Sequence, residues 1–154
     1  MAEGKKEIKV TGQQLLDAYR SDQAKLEALQ RRGQGLQQAL MEMMAARDAV
    51  QEIAKTEEGE NAMISLGAGV FAEAKIANAK RVKSSLASNV LIEEDAEKVA
   101  AELEKEMEKI KNELAQTQAE MQKLQENMQG ITEILQQGQK AAQESGKAEV
   151  SSVS

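Results

Sequence analysis

The sequence predicts a mainly α fold with a small β part: a long antiparallel coiled-coil helical hairpin carrying two β-hairpins at its root. Three observations lead there. Two long stretches repeat apolar residues every seven positions, the stretch between them repeats every two, and the composition cannot build an ordinary globular core. The 154 residues include one tyrosine (Tyr19), one phenylalanine (Phe71) and no tryptophan, proline, cysteine or histidine. Large aromatics that dominate most cores are therefore missing. Ala, Leu, Met and Ile set among Glu, Gln and Lys, without proline, is the composition of long helices. The length fits one domain spanning residues 1–154.

The first helix is expected over about residues 12–56, with Thr11 as its N-cap. With Tyr19 at position a, the a series is Tyr19, Leu26, Gly33, Leu40 and Arg47, and the d series is Leu15, Asp22, Leu29, Leu36, Met43 and Val50. Most are apolar, at the spacing of a left-handed coiled coil. Gly33, with Gly35 close by, is a flaw costing roughly 1 kcal/mol relative to alanine.

The second helix is expected over 93–142. Its a positions are Ala100, Met107, Leu114, Met121, Met128 and Leu135; its d positions are Ala96, Leu103, Ile110, Thr117, Leu124 and Ile131. The pattern fades at Gly138, and residues 143–154 read as a disordered tail. The two helices have similar lengths, roughly 65 Å at about 1.5 Å per residue, which suggests one antiparallel hairpin. Pairing residues whose numbers sum to 150 sets a against d throughout: Leu15 meets Leu135, Tyr19 meets Ile131, Leu26 meets Leu124. The same register sets Gly33 against Thr117, so the two weak layers coincide.

Between the helices, residues 62–92 change period. Ile64, Leu66, Ala68, Val70, Ala72, Ala74 and Ile76 are apolar at every second position, broken at Gly67-Ala68-Gly69 where a turn fits. After a turn at Asn78-Ala79-Lys80, Val82, Leu86, Val90 and Ile92 continue the alternation around Ala87-Ser88-Asn89. The reading is two β-hairpins. Short strands with one apolar face are not stable alone in water, and their free edges need partners. Ile64, Leu66, Val70, Ile76, Val82, Leu86, Val90 and Ile92 are therefore expected to form a hub completed by other subunits.

Several functions are disfavoured. Without His or Cys the chain lacks the commonest general base, the thiolate nucleophile and the usual zinc ligands. Glu102–Glu106 and Glu104–Glu108 could be read as paired acids, but lysines lie three or four residues from Glu102, Glu106 and Glu108, and a solvated helix face explains the set. Gly67-Ala68-Gly69 is too short for a phosphate loop and lacks the Lys-Ser/Thr that would follow one. No enzyme, cofactor or metal site is expected. The net charge of −6 argues against nucleic acid or an anionic membrane as partner. No apolar run approaches the ~20 residues that span a bilayer. The start, MAEGKKEIKV, has no apolar core of a secretory signal, so a cytoplasmic location is expected.

Ser65-Leu66-Gly67-Ala68-Gly69-Val70-Phe71 resembles the first hairpin motif of the prefoldin alpha family, in which Gly-x-Gly and an aromatic follow an apolar strand. Val82 to Asp95 resembles the second hairpin. Ser65 stands where the family often has proline, and Ala87-Ser88-Asn89 where it has a second Gly-x-Gly. The likeness spans roughly residues 12–140, and two hairpins, where the beta type has one, favour the alpha type.

The resemblance implies an ATP-independent chaperone: a hexamer of two alpha and four beta subunits in which the hairpins complete an oligomeric β-barrel hub. It further implies capture of nonnative proteins at the coiled-coil tips and their delivery to a group II chaperonin. The distal apolar residues here are Val10, Leu15, Leu16, Tyr19, Ile131, Ile134 and Leu135. Leu15, Tyr19, Ile131 and Leu135 are seam positions; Leu16 and Ile134 lie beside the seam and are the better contacts for a client. The alternatives are a self-assembling scaffold and a coiled-coil adaptor for one folded partner.

Overall fold

Thr11 and Gln14 begin the first helix with a reciprocal pair of hydrogen bonds. The Gln14 N–H donates to Thr11 Oγ1 at 3.3 Å, and the Thr11 N–H donates to Gln14 Oε1 at 2.9 Å. This capping box satisfies two amides that a helix start leaves without partners. In the computed structural model, which describes the backbone of residues 10–151 and the side chains of residues 10–146, the order is α1 (Gly12–Lys55), β1 (Asn61–Gly67), β2 (Val70–Lys75), β3 (Arg81–Ala87), β4 (Val90–Asp95) and α2 (Ala96–Ser151). The chain divides into two compact units. One comprises Met1–Gln34 and Ala115–Ser154, the other Gly35–Leu114.

Seam burial follows the heptads. Every a and d position of α1, from Leu15 to Val50, is half-buried, and apart from Ala39 the residues between them are exposed. On α2 the a and d positions from Ala96 to Leu135 are all half-buried or buried. Met107 is only 2% exposed and Thr117 3%, whereas no α1 side chain is fully covered. Burial of a methionine such as Met107 contributes about 1.5–3 kcal/mol. Within the first unit, a Cβ built on Gly33 would lie 3.9 Å from Thr117 Cγ2, the layer that the a-to-d register requires.

The connector forms two separate two-stranded antiparallel sheets, β1 with β2 and β3 with β4. Their registers are the same after a shift of 20 residues: Asn61↔Lys75 becomes Arg81↔Asp95, Ile64↔Ala72 becomes Ser84↔Ile92, and Gly67↔Val70 becomes Ala87↔Val90. Both sheets also carry an extra residue at the matching place, Leu66 between Ser65 and Gly67 and Leu86 between Ser85 and Ala87. The turns differ. Ala68 (φ 50°) and Gly69 (φ 76°) are both left-handed, as a primed two-residue hairpin turn requires, whereas in the second hairpin only Asn89 (φ 68°) is.

Asp95 starts α2 by accepting the N–H groups of Glu97 (3.0 Å) and Lys98 (3.1 Å) at Oδ1. That cap corrects the expected boundary at residue 93, because Ile92, Glu93 and Glu94 still pair with β3. The first strand likewise begins at Asn61. The expected tail at 143–154 is also corrected: α2 continues to Ser151, and residues 152–154 lie outside the described residues. Loss of the heptad removes a reason to pack but not a reason to be helical. Ala141, Ala142, Gln143, Glu144 and Lys147 are favourable helix formers, and Ser145 Oγ donates back to the Ala141 carbonyl one turn earlier at 2.8 Å, a bond made within the helix.

Candidate assembly face and distal helix ends

The root of the second unit is tied by Lys80. Asn78 Oδ1 accepts the N–H groups of Lys80 (3.0 Å) and Arg81 (3.2 Å), closing the turn expected there. The Lys80 ammonium then donates to the last-turn carbonyl of Ala54 in α1 at 3.0 Å, while the Lys80 carbonyl accepts the N–H of Ala96, the first residue of α2, at 2.9 Å. One residue thus satisfies a carbonyl at the end of α1 and an amide at the start of α2. Ala79 and Ala96 beside it are 2% and 1% exposed. On the other side, the Gly59 N–H donates to the Ile76 carbonyl at 2.7 Å and the Ile76 N–H to the Glu60 carbonyl at 2.9 Å.

The hairpins stand on this root with apolar faces open. Ile64 (50%), Leu66 (64%), Val70 (55%), Leu86 (70%) and Val90 (48%) are exposed; Ile76, Val82 and Ile92 are half-buried. Strand alternation puts the even-numbered residues of each hairpin on one face, so the eight expected hub residues fall on matching faces of the two hairpins. That face also carries Glu94, opposite Val82 and 3.5 Å from Lys98.

The expectation of a single apolar face needs correction. Met63 (68%) and Phe71 (57%) are exposed on the odd face of the first hairpin, and Leu91 (63%) on that of the second. Their signal was present in the sequence as apolar residues at odd positions inside the alternation. In the second hairpin the same face is charged, with Arg81 opposite Asp95 and Lys83 opposite Glu93.

In the first unit, the distal residues fall into two groups. Leu15, Tyr19, Ile131 and Leu135 are half-buried in the seam. Leu16 (41%), Ile134 (54%) and Val10 (52%) are exposed. Farther along the same unit, an open groove beside the seam is lined by Ala28, Leu29 and Leu124 with Lys25, Arg32, Glu120 and Lys123 at its rim.

Charge is arranged along the helices rather than gathered. Lys109–Glu106, Lys111–Glu108 and Lys98–Glu102 pair within α2 at one-turn spacing. Arg47 is the exception: it occupies a seam position and donates to Glu104 on the other helix, and this hydrogen bond, with a second donated to Asp48, holds the guanidinium above its ordinary pKa. Among the described residues, no three His, Cys, Asp or Glu side chains are grouped to hold a metal ion, and no helix is long and apolar enough to cross a membrane.

Comparison with known proteins agrees with this architecture. The chain is 34% identical over 84 residues to prefoldin subunit alpha of Methanothrix thermoacetophila; the match covers 54% of this chain and 55% of that protein, about half its length. Filamentous PFD from Methanocaldococcus jannaschii, determined by cryo-EM, aligns with a TM-score of 0.61 at 17% identity over 75% of this chain and 96% of that one, a likeness of fold. The family model for prefoldin subunits matches residues 23–141, a span that takes in both hairpins and most of both heptad seams. The chain belongs to the prefoldin subunit family.

Proposed function

We propose that this chain is the alpha-type subunit of a hetero-oligomeric, ATP-independent chaperone of the cytoplasm. It assembles through its hairpins with beta-type subunits, two alpha to four beta. It holds nonnative proteins at the distal helix ends and delivers them to a group II chaperonin. The observation that carries the assembly half is the pair of hairpins whose apolar residues, Leu66 and Leu86 foremost, are left in water by the isolated chain. Such faces and their free edges favour association. The family relationship and the similarity to an alpha subunit support the partner assignment.

The client half rests on Leu16 and Ile134, apolar and exposed beside the distal seam, together with the half-buried Leu15, Tyr19, Ile131 and Leu135. Flexible aliphatic surface of this kind accepts many sequences. Deleting residues 1–18 and 133–154 removes both exposed side chains and leaves Tyr19 and Ile131 as the last seam layer. The truncated chain should form the same oligomer with a beta-type partner yet suppress aggregation of chemically denatured proteins less well. The loss is partial, because four of six arms belong to the partner. Equal protection across several clients would remove the distal ends from the binding site; no protection by the intact assembly would remove the chaperone reading altogether.

A self-assembling scaffold is the second reading. The shared register of the two hairpins favours it, since equivalent geometry lets both accept the same kind of partner strand, a second copy included. Native mass measurement without a beta-type subunit separates the two: discrete hetero-oligomers only on mixing support the chaperone, and open-ended growth of the chain alone supports the scaffold.

A further inference from the structure

The two hairpins share a register but not an attachment. At its root the first hairpin only extends its own ladder: the Gly59 N–H donates to the Ile76 carbonyl and the Ile76 N–H to the Glu60 carbonyl. Those bonds tie its two ends to each other. Among the described residues, no hydrogen bond or ion pair joins residues 61–75 to either helix.

The second hairpin is held at both ends. Its last strand runs directly into α2, with Asp95 capping that helix and Glu94 lying 3.5 Å from Lys98. Its first strand starts from Lys80, whose carbonyl accepts from Ala96 of α2 and whose ammonium donates to the Ala54 carbonyl of α1 at 3.0 Å. Among the described residues, the Lys80 ammonium makes the only hydrogen bond between residues 57–95 and α1. Carbonyls in a last helical turn lack intrahelical partners and carry the negative end of the helix dipole, so a cationic donor suits them. Ala79, one residue before Lys80, and Ala96, its backbone partner, are almost fully buried. Close packing there leaves the backbone little room to shift.

We infer that Lys80 is a positioning residue for assembly: its ammonium clamps the start of the second hairpin to α1. That hairpin keeps one direction relative to the root ends of the helices, whereas the first swings on its flanking segments, 56–60 and 76–79. The clamped hairpin presents its apolar face already oriented, and the free one adapts once the first contact has formed. Orienting one of two docking elements in advance lowers the ordering cost of association. The assembly half of this inference rests on the proposed hub; the clamp itself does not.

The chain has no native cysteine, so pairs of introduced cysteines can carry nitroxide labels, and pulsed electron paramagnetic resonance reads the spread of distances between them. Ser65 and Ser85 are exposed and hold equivalent places in the two registers; Glu52, exposed on α1, is the common reference. In the full-length chain, Glu52→Cys/Ser85→Cys should give a narrow distribution and Glu52→Cys/Ser65→Cys one about twice as wide. Lys80→Met keeps the length of the side chain without its donors, and should widen the Ser85 distribution to match that of Ser65. Lys80→Arg keeps a cationic donor and should leave it narrow. Helical content by circular dichroism should be the same in all three. Mixed with a beta-type partner, Lys80→Met should need roughly tenfold more protein for half-assembly, and Lys80→Arg no more than about twofold. Equal widths for the two pairs in the unmodified chain, or no widening in Lys80→Met, overturns the clamp. Loss of helix in Lys80→Met overturns the positioning role, since the residue would then hold up the fold itself. Widening with unchanged assembly overturns the role in assembly. An unmodified chain that forms no oligomer with a beta-type partner sinks the hub reading, and the label distances then decide the clamp by themselves.

Discussion

Arg47 Nη1 donates to Glu104 Oε2 at 2.6 Å, so a charged residue at a seam position of α1 finds its counter-ion on α2. The Arg47 side chain is 20% exposed and Glu104 48%, which places the pair at the edge of the seam rather than inside it. The guanidinium has a raised pKa. A raised folded-state value adds stability below the unfolded value and loses it only as pH rises beyond, so the guanidinium stays charged through neutral and moderately alkaline pH.

From this geometry, Arg47→Leu should be mild. Glu104 is exposed enough to hydrate once its partner is gone, and leucine at an a position suits the seam. The thermal midpoint should move by less than about 4 °C, and its dependence on salt should weaken. Circular dichroism melts at low and high ionic strength measure both; a fall of more than about 8 °C would show that the pair holds the helices together.

Ala68 sits at φ 50°, a left-handed conformation that costs an L-residue roughly 1–2 kcal/mol. Ala68→Gly should therefore stabilise the first hairpin by about 1 kcal/mol. Asn89 tolerates the same region better, so Asn89→Gly should gain less. Denaturant midpoints of the two variants give the comparison, and an Ala68→Gly chain less stable than the parent would contradict the turn.

Register within the first unit can be read by crosslinking. Leu26→Cys with Leu124→Cys should form a disulfide under mild oxidation, because their numbers share the sum of the observed Gly33–Thr117 layer. Leu26→Cys with Ile131→Cys should not. Those seven residues displace the partner by roughly 10 Å along the helix, beyond disulfide reach. Crosslinking of the second pair alone would mean a slipped seam.

For the hub, Leu66→Asp or Val70→Asp should leave helical content intact and dissociate the assembly. An unpaired carboxylate at a face that becomes buried costs several kcal/mol, whereas in the isolated chain both positions are exposed and the substitution costs little. Sizing with a beta-type partner decides; an intact oligomer would move the interface elsewhere, with the odd face at Met63 and Phe71 the next surface to test.

Much of this fold was legible from periodicity, because the burial of a seam or strand face depends on spacing that one chain displays in full. Every a and d position that the heptads marked, from Leu15 to Val50 and from Ala96 to Leu135, is half-buried or buried, and the paired defects at Gly33 and Thr117 marked their layer. Alternation located both hairpins, and Thr11 and Asn78 announced a cap and a turn by residue type alone. Polar contacts between residues distant in the chain were not legible. Nothing in the spacing of Lys80 says that its ammonium ends on the Ala54 carbonyl, or in that of Arg47 that it finds Glu104. The end of β4 at Asp95 was decided by strand pairing against β3. The persistence of α2 to Ser151 reflects local helix propensity, which continues after the heptad has stopped. Periodic burial is written into one strand of sequence, whereas hydrogen-bond partners and exposed second faces, such as Met63 with Phe71, exist only once the backbone has brought separate segments into register.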